Sequence, residues 1–376
     1  MAPNDVARPI TVMQLLPALE SGGVERSTIE IAQALVGAGH HALAVSAGGR
    51  LVADLVAVGG NHLELDIGRK SPFTLRHVFG LRRLLEQYRP DIVHARSRLP
   101  AWIGWLALRG LRGPRPAFVT TVHGLNSISR YSAILTRGER VICVSDTVRS
   151  HVLAHYPKVD PALLRVIERG VDAADFPRGH HADAAWRAAF LAAHPALAGR
   201  HWFVLPGRGT RLKGHQQAIE FIARLRAAGH DVALLLQGVV EAGRERYLDE
   251  LRASAAQRGV AEVVALAPPR RDIREVMAES FAVLQLSTKP EAFGRTVVEA
   301  LALGRPVLGW DRGGVGELLA RGFPAGAVAP DDIDSLVARA ANWLATPPQP
   351  APFQPFTLDA MQQATLTVYR ELTDAR

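Results

Sequence analysis

Short apolar runs rich in β-branched residues alternate along the chain with longer stretches whose apolar positions recur at helical spacing. In the first half, the strand-like runs are residues 10–16, 41–46, 91–94, 117–122 and 140–144. The stretches of helical spacing between them include residues 24–38, 75–88 and 102–109. Buried strands that alternate with helices of this length are typical of parallel sheets covered on both faces.

The same alternation starts again in the second half of the chain. The second set of strand-like runs is residues 201–205, 232–237, 262–266, 281–286 and 306–309. The pattern predicts an α/β protein of two doubly wound, Rossmann-like parallel-sheet domains, residues 1–175 and 176–355. A Pro-rich segment, residues 346–355, separates a last helix, and we expect residues 356–376 to return to the first domain. Ligands of such sheets bind at the carboxyl ends of the strands, so we expect the two domains to face a cleft.

Composition narrows the class of protein. The 376 residues are 48% hydrophobic and 21% charged, which excludes a disordered or fibrous chain. The single cysteine, Cys143, excludes a disulfide framework or a cysteine metal cluster and fits a reducing compartment, so we expect a cytoplasmic protein. Asp5 precedes the first apolar run, which argues against a secretion signal. The most apolar stretch, residues 99–108, is half of the ~20 residues that cross a bilayer, so we expect a soluble protein or one attached to a membrane surface.

The net charge of +8 is concentrated in the first half, where residues 1–176 hold 21 Lys and Arg against 15 Asp and Glu. A basic half suggests an anionic partner such as nucleic acid, acidic lipid or a phosphorylated substrate. However, 40 of the 44 cations are Arg. A compositional bias would raise the isoelectric point in the same way without any binding role, so charge alone leaves both interpretations open.

In each predicted domain, a glycine-containing loop follows the first strand. Gly22 and Gly23 precede a helix, where backbone amides and the helix dipole can hold an anion, although they lack the spacing of a dinucleotide fingerprint. In residues 206–215, Arg208 and Lys213 could clamp two phosphates, although the ending of a Walker motif is missing. The alternative in each case is structural, a helix cap for the glycines and solvated cations for the second loop.

Residues 287–300 are the most informative segment, because they follow a strand and open a helix. Gly294 allows a close backbone approach to a ligand, while Glu291 and Glu299 can face the same cleft. Two carboxylates at this spacing suit the hydroxyls of a sugar and of a ribose. Two surface acids on a helix would be the structural alternative, but it does not explain the glycine, the aromatic residue and the proline together.

The Glu291-x7-Glu299 spacing resembles the E-x7-E signature of retaining glycosyltransferases of the GT-B fold, family four. Supporting matches follow one another in order along residues 10–320: Gly22-Gly23, Thr121-Val122-His123-Gly124, Val144-Ser145, Gly170-Val171-Asp172, Gly207-Arg208…Lys213-Gly214, Gly304-x-Pro306-Val307 and Gly313-Gly314-x-x-Glu317. Arg169 stands where the family often has Asn.

The resemblance implies a role for each matched residue. Glu299 would bind the ribose and Glu291 the transferred sugar, while Arg208 and Lys213 would hold the diphosphate. His123 would face the reacting sugar. Backbone amides of two segments would complete the donor site: Phe293-Gly294-Arg295 and Gly22-Gly23. The resemblance further implies a metal-independent, hexosyltransferase-type reaction that retains the anomeric configuration and needs no cofactor beyond a nucleotide-diphosphate sugar, a UDP-sugar first of all.

The acceptor should bind the basic first domain. Arg109, Arg112 and Arg115, with Trp102 and Trp105 nearby, would suit a glycan or lipid-linked acceptor at the cytoplasmic face of the inner membrane, although the tryptophans could equally be core. We expect a role in lipopolysaccharide core or other envelope polysaccharide biosynthesis and no nucleic-acid partner. The alternatives are a GT-B-fold sugar-nucleotide epimerase or phosphorylase and, more remotely, a basic nucleic-acid-binding protein.

Overall fold

The computed structural model describes residues 8–20, 22–352 and 356–376. The chain divides into two compact units, the first formed by residues up to Glu168 together with Leu358–Arg376 and the second by Arg169–Thr357. Ser21 of the first glycine loop and the last three residues of the Pro-rich segment lie outside the described residues, as does Asp5.

The first unit contains a seven-stranded parallel sheet in the order β3-β2-β1-β4-β5-β6-β7. Its strands are β1 Thr11–Leu15, β2 His41–Ser46, β3 Asn61–Glu64, β4 Ile92–Ala95, β5 Ala117–Val122, β6 Arg140–Cys143 and β7 Leu164–Val166. Its helices are α1 Gly23–Gly37, α2 Val52–Ala57, α3 His77–Tyr88, α4 Arg98–Arg109, α5 Asp146–His155 and the carboxyl-terminal α13 Leu358–Asp374.

The second unit contains a six-stranded parallel sheet in the order β10-β9-β8-β11-β12-β13. Its strands are β8 His201–Pro206, β9 Val232–Gln237, β10 Val264–Ala267, β11 Ala282–Gln285, β12 Val307–Trp310 and β13 Ala327–Val328. Its helices are α6 Ala184–Ala193, α7 His215–Ala227, α8 Glu245–Gln257, α9 Ile273–Glu279, α10 Arg295–Ala302, α11 Gly313–Gly322 and α12 Ile333–Ala345.

These two sheets confirm the predicted fold class of two doubly wound parallel-sheet domains. The central strands are buried on both faces, as their unbroken apolar sequences require; every residue of β5 and of β9 is buried. In each sheet the strand order reverses direction beside the first strand, between β1 and β4 and between β8 and β11. Such a reversal leaves a crevice at the carboxyl ends of the two strands, which is where doubly wound folds bind ligands.

The last helix belongs to the core of the first unit. Residues of α13, among them Met361, Leu366 and Tyr369, pack with residues of α1 and of the first sheet in one buried apolar cluster. In the described part of the chain, no helix is both long enough and apolar enough to span a bilayer.

Candidate functional site

The candidate site of the second unit lies in the loops that follow β8 and β11, on either side of the strand-order reversal. A short 3₁₀ turn, Arg211–Lys213, ends the first loop. The backbone amide of Thr288 donates to the carbonyl of Leu212 over 2.9 Å, so the two loops are hydrogen-bonded to each other. This contact holds the cationic loop against the acidic one.

Lys213 and Glu291, which the sequence assigned to different parts of a ligand, are in direct contact. The Lys213 ammonium lies 2.7 Å from Oε1 of Glu291, and both side chains are about three-quarters buried. The hydroxyl of Ser287 donates to the same oxygen. Oε2 of Glu291 has no hydrogen bond from the part of the chain that the structure describes, so it can accept from a ligand hydroxyl.

Glycines make this loop arrangement sterically feasible. Gly214 has a φ of 79°, and a Cβ added there would lie 1.9 Å from the carbonyl oxygen of Leu286. Gly313 has a φ of 60° and lies beside Glu291, with which it forms an isolated parallel bridge. The amide of Gly314 donates to the Glu291 carbonyl over 2.9 Å. The backbone of Glu291 is therefore fixed independently of its side-chain contacts.

Helix α10 carries the second carboxylate. It begins after Gly294, whose φ is 110° and whose position at the helix start has no side-chain cap. Glu299 is 6% exposed and accepts from Nε of Arg295 over 3.1 Å, one helical turn earlier. Phe293 is buried, with its ring in edge contact with Phe356, so its side chain serves packing.

The two cations of the second unit's loop differ in their surroundings. Arg208 is exposed, and its guanidinium has no hydrogen-bond or ion-pair partner among the residues that the structure describes. A Cβ on the neighbouring Gly207 would lie 3.2 Å from Cγ of Lys213, so the Lys213 side chain passes over the backbone next to Arg208. By contrast, Arg211 is paired with Glu250 and lies over the Tyr247 ring. Among these loop cations, Arg208 is thus the one without a carboxylate partner in the described part of the chain, whereas Lys213 is paired with Glu291 and Arg211 with Glu250.

His215 is a part of the site that the sequence analysis missed. It is fully buried at the start of α7, and its Nδ1 lies 3.1 Å from the Tyr247 hydroxyl. Burial, together with the charge of Lys213, lowers the pKa of His215 to about 4. The imidazole is therefore neutral at physiological pH beside the cationic loop. Only the adjacent Lys213-Gly214 motif could have drawn attention to it.

In the first unit, the predicted residues lie at the carboxyl ends of β1 and β5. Gly22 precedes α1 with a φ of 138° and no side-chain cap, and Gly23 is the first helical residue. His123 follows β5 directly and is half-buried. The two segments are thus at the same edge of the first sheet.

A buried polar network lies under this edge of the first sheet. Arg96 is 2% exposed and donates to Gln14 of β1 over 2.9 Å and to Ser27 of α1 over 2.5 Å. The two ring nitrogens of His94 lie 2.6 Å from the hydroxyls of Tyr369 and Thr121. The network therefore ties α13 to the start of α1 and to the strand that precedes His123.

The three cations proposed for the acceptor, Arg109, Arg112 and Arg115, are all exposed. Arg109 lies over the Trp105 ring at 4.7 Å, and the carbonyl of Arg115 accepts from Arg376. Trp102 donates from its indole nitrogen to the Tyr131 carbonyl and meets Trp105 edge to face. Both tryptophans thus make ring contacts within the first unit, and Trp102 is hydrogen-bonded as well.

Among the described residues, no group of three or more His, Cys, Asp or Glu side chains is placed to hold a metal ion. Asp332, in the acidic run before α12, caps that helix by accepting from the Ser335 amide over 3.0 Å. That hydrogen bond lowers the pKa of the Asp332 carboxyl. Asp332 therefore serves as the cap of this helix.

Two family models match the chain in the same order as its two units. Glycosyltransferase Family 4 matches residues 21–175, and Glycosyl transferases group 1 matches residues 191–355. The chain belongs to the family-four glycosyltransferases of the GT-B fold, which confirms the resemblance found in the Glu291-x7-Glu299 motif and its companions.

Individual relatives agree with this assignment. The chain is 30% identical over 267 residues to a D-inositol 3-phosphate glycosyltransferase of Jonesia denitrificans, and the match covers 64% of this chain and 60% of that protein. It is 26% identical over 272 residues to the lipopolysaccharide core biosynthesis mannosyltransferase LpcC of Rhizobium leguminosarum bv. viciae, covering 72% and 73%. The crystal structure of a glycosyltransferase from Rickettsia africae superposes with a TM-score of 0.86 at 26% identity, covering 98% of this chain and 100% of that one.

Proposed function

We propose that this protein is a retaining glycosyltransferase that moves a sugar from a nucleotide-diphosphate sugar to a hydroxyl of a glycan or glycolipid. The observation that carries the proposal is the contact of Lys213 with Glu291 beside the uncapped start of α10, with Glu299 one turn further on. Family membership supports the same class of reaction.

The chemistry explains why cations, amides and carboxylates are needed together. When the bond from the sugar to the diphosphate breaks, the sugar becomes positive and the diphosphate gains negative charge. Arg208, Lys213 and the backbone amides would stabilise that negative charge, and preorganised donors of this kind contribute a few kcal/mol each. Glu299 would bind the ribose hydroxyls, and Oε2 of Glu291 would accept from the sugar.

We propose that the configuration is retained and that no metal ion takes part. In this scheme the acceptor hydroxyl attacks from the face that the diphosphate leaves, and its proton passes to the departing phosphate oxygen. His123 would act on the reacting sugar, as the resemblance implies. The positive groups of the protein would replace the cation that other transferases use to neutralise the diphosphate.

The acceptor and its location are the finer part of the proposal. We place the acceptor on the basic first unit, near Arg109, Arg112 and Arg115, and the reaction in the cytoplasm at the inner face of the membrane. Two named relatives, one acting in lipopolysaccharide core biosynthesis and one on an inositol phosphate, support an acceptor that is phosphorylated or lipid-linked. We favour envelope glycan assembly.

A donor screen tests the proposal. The full chain is incubated with hexose nucleotides, uridine nucleotides first, with and without a lipid-linked core oligosaccharide, and products are followed by mass spectrometry and by NMR of the anomeric proton. We expect nucleotide diphosphate release that acceptor accelerates, a product with the donor's anomeric configuration, and unchanged rates in EDTA. Formation of an epimer or of a sugar 1-phosphate without transfer would instead identify an epimerase or a phosphorylase.

A further inference from the structure

An exposed apolar segment follows the carboxyl end of β3 and leads into the start of α3. Phe73 is 78% exposed, Phe79 64% and Leu75 52%. Phe73 and Leu75 lie in a 3₁₀ turn, Pro72–Arg76, that runs directly into α3. Three large apolar side chains so exposed within seven residues form a patch of the kind that marks an interaction surface.

Cations predominate around this patch, and one acid adjoins it, Asp66, whose carboxylate accepts from the backbone amide of Arg69 over 3.1 Å. Residues 67–85 contain no Asp or Glu but contain Arg69, Lys70, Arg76, Arg82 and Arg83. Four of the five are exposed; Arg82 lies half-buried with its guanidinium 5.6 Å from the Phe79 ring. Arg82 also donates to the carbonyl of Ala107 in α4. The basic surface therefore continues to the end of α4, where Arg109 is located.

Local hydrogen bonds hold the segment in this exposed conformation. The hydroxyl of Thr74, a buried residue, donates to the Arg69 carbonyl over 2.6 Å, and the hydroxyl of Ser71 accepts from the Phe73 amide over 3.3 Å. Leu81 and Leu85 anchor α3 in the core. The aromatic rings are thus presented outward by a folded element and do not belong to a loose loop.

We propose that the docking face, formed by Arg69, Lys70, Phe73, Leu75, Phe79 and Arg83, binds the surface of a bilayer that contains anionic phospholipid. Aromatic and aliphatic side chains insert at the headgroup boundary, while Lys and Arg next to them attract acidic headgroups. This places the primary membrane contact on α3, with Arg109, Arg112 and Arg115 at most at its margin.

The charge of the face argues against the other occupants. A second copy of this chain in a two-fold dimer would bring the three cations of the docking face against the same three cations of its partner. The cations would attract nucleic acid as well, but nucleic acid offers no apolar surface that would cover Leu75 and Phe79. An anionic bilayer satisfies both the charge and the apolar side chains. The inference rests on the proposed function in one respect only: membrane binding would bring the enzyme to a lipid-linked acceptor.

Vesicle flotation of the full chain tests this proposal. Vesicles contain phosphatidylcholine alone or phosphatidylcholine with about one quarter phosphatidylglycerol. We expect binding to the anionic vesicles that weakens as salt is raised. Phe73→Ser with Phe79→Ser should weaken it about tenfold or more, since both rings leave the interface. Neutralising Arg69, Lys70 and Arg83 to Gln should weaken it about fivefold for each cation removed.

Matched control variants show whether a loss of vesicle binding is specific to the docking face or follows from removing any exposed apolar side chain or cation. Val56→Ser removes an equally exposed apolar side chain on α2, and Arg246→Gln removes an exposed cation of the second unit, and both should bind like the wild type. The proposal is overturned if wild type ignores anionic vesicles, if the two Phe substitutions leave binding unchanged, or if they only turn a dimer into a monomer in sedimentation. Tight binding of single-stranded DNA that the same Phe substitutions abolish would overturn it too.

Donor hydrolysis, measured in the same variants without lipid, distinguishes this proposal from the proposed function. We expect the docking-face variants to hydrolyse donor at the wild-type rate, because none of the changed residues belongs to the candidate site. Vesicle binding without any sugar transfer would reject the proposed function and leave the docking face standing.

Discussion

At the scale of single residues, Glu291 is the point where two separate motifs meet. Its Oε1 accepts from both Lys213 and Ser287, which fixes the carboxylate through one oxygen and leaves Oε2 without a hydrogen bond from the described residues. An ion pair that is still about one-quarter exposed contributes little to stability by itself. The same pair can contribute much more to the binding of a ligand, because it holds the Glu291 carboxylate and the Lys213 ammonium in place before the ligand arrives.

Removal of the two carboxylates should therefore change different quantities, the donor dissociation constant for Glu299 and turnover for Glu291. Glu299→Ala should raise the donor dissociation constant about 10- to 100-fold, as expected for a lost hydrogen bond to a charged group. Glu291→Ala should chiefly lower turnover, because it also releases Lys213 from its position at the diphosphate. Donor titration calorimetry and steady-state kinetics measure the two effects, and Glu262→Ala, an exposed acid before β10, is the control.

A double-mutant cycle tests the coupling of Lys213 and Glu291 directly. If the Lys213→Ala and Glu291→Ala effects on turnover add fully, the contact has no catalytic meaning and the two residues act independently. We expect the double variant to be no more than slightly worse than the poorer single one.

His215 makes the stability of the second unit depend on pH. Its pKa is about 4 in the folded protein and near the ordinary 6.5 when unfolded, so the unfolded state binds more protons between these values. Stability is thus fully present above pH 6.5 and falls as the pH drops toward 4, by about 3 kcal/mol for this group. His215→Gln should flatten that dependence in urea unfolding at pH 7 and pH 5. His41→Gln, an exposed histidine of the first unit, should retain it.

At the scale of secondary structure elements, three helices begin directly after a glycine with a positive φ. Gly22, Gly214 and Gly294 precede α1, α7 and α10 with positive φ and without a side-chain cap. A side chain caps only some of the other helices, through Ser145 before α5, Asp183 before α6 and Asp332 before α12; helices α2, α3, α4, α8, α9 and α11 lack such a cap as well. The glycines are what distinguish α1, α7 and α10, because a residue without a Cβ lets an anion approach the uncapped amides closely.

Gly214→Ala should damage both stability and donor binding. The added methyl would lie 1.9 Å from the Leu286 carbonyl, so the β8 loop would have to move away from β11 and carry Lys213 from Glu291. Gly229→Ala is the matched control, because its φ of 89° imposes the same strain while nothing lies within 4 Å of the new methyl. We expect about 1–2 kcal/mol of lost stability in the control and more in Gly214→Ala.

Donor affinity distinguishes the two glycine variants. It should fall tenfold or more in Gly214→Ala and remain at the wild-type value in Gly229→Ala. Equal donor affinity in both variants would show that the loop contact does not position Lys213.

At the scale of the whole molecule, the end of the chain completes the first unit. Tyr369 of α13 reaches His94 of β4 across 275 positions of sequence, inside a network that also holds the start of α1. Arg96 in this network is fully buried, and burial lowers its pKa from the usual value. Breaking such a network leaves polar groups without partners, which is costly in a buried site.

Tyr369→Phe should destabilise the first unit by about 1–3 kcal/mol, since it leaves a ring nitrogen of His94 without its hydroxyl partner. Hydrogen exchange followed by mass spectrometry should show faster exchange in peptides of β4, β5 and α1, with the second unit unchanged. Tyr88→Phe removes an exposed hydroxyl from α3 and should change neither unit. If exchange instead became faster to the same extent in both units, the network would not stabilise the first unit alone, and this prediction would be wrong.

Much of the fold follows from local pattern. All ten strand-like runs that the sequence indicated are strands of the two sheets. The strands that were missed, β3, β7 and β13, are all edge strands. An edge strand is short and only partly covered; β3, with the sequence NHLE, has no fully buried residue. Such strands leave little apolar signal to read.

Local patterns in the sequence predict the two parallel sheets, the family and the motif residues, because buried strands need continuous apolar runs and glycines mark turns and close approaches. The packing of the folded chain, by contrast, brings Lys213 into contact with Glu291, keeps His215 neutral, joins Tyr369 to His94 and turns the aromatic side chains of residues 73–79 outward. These are distances and exposures between residues far apart in sequence. They depend on how loops and helices pack, and no local pattern encodes that packing.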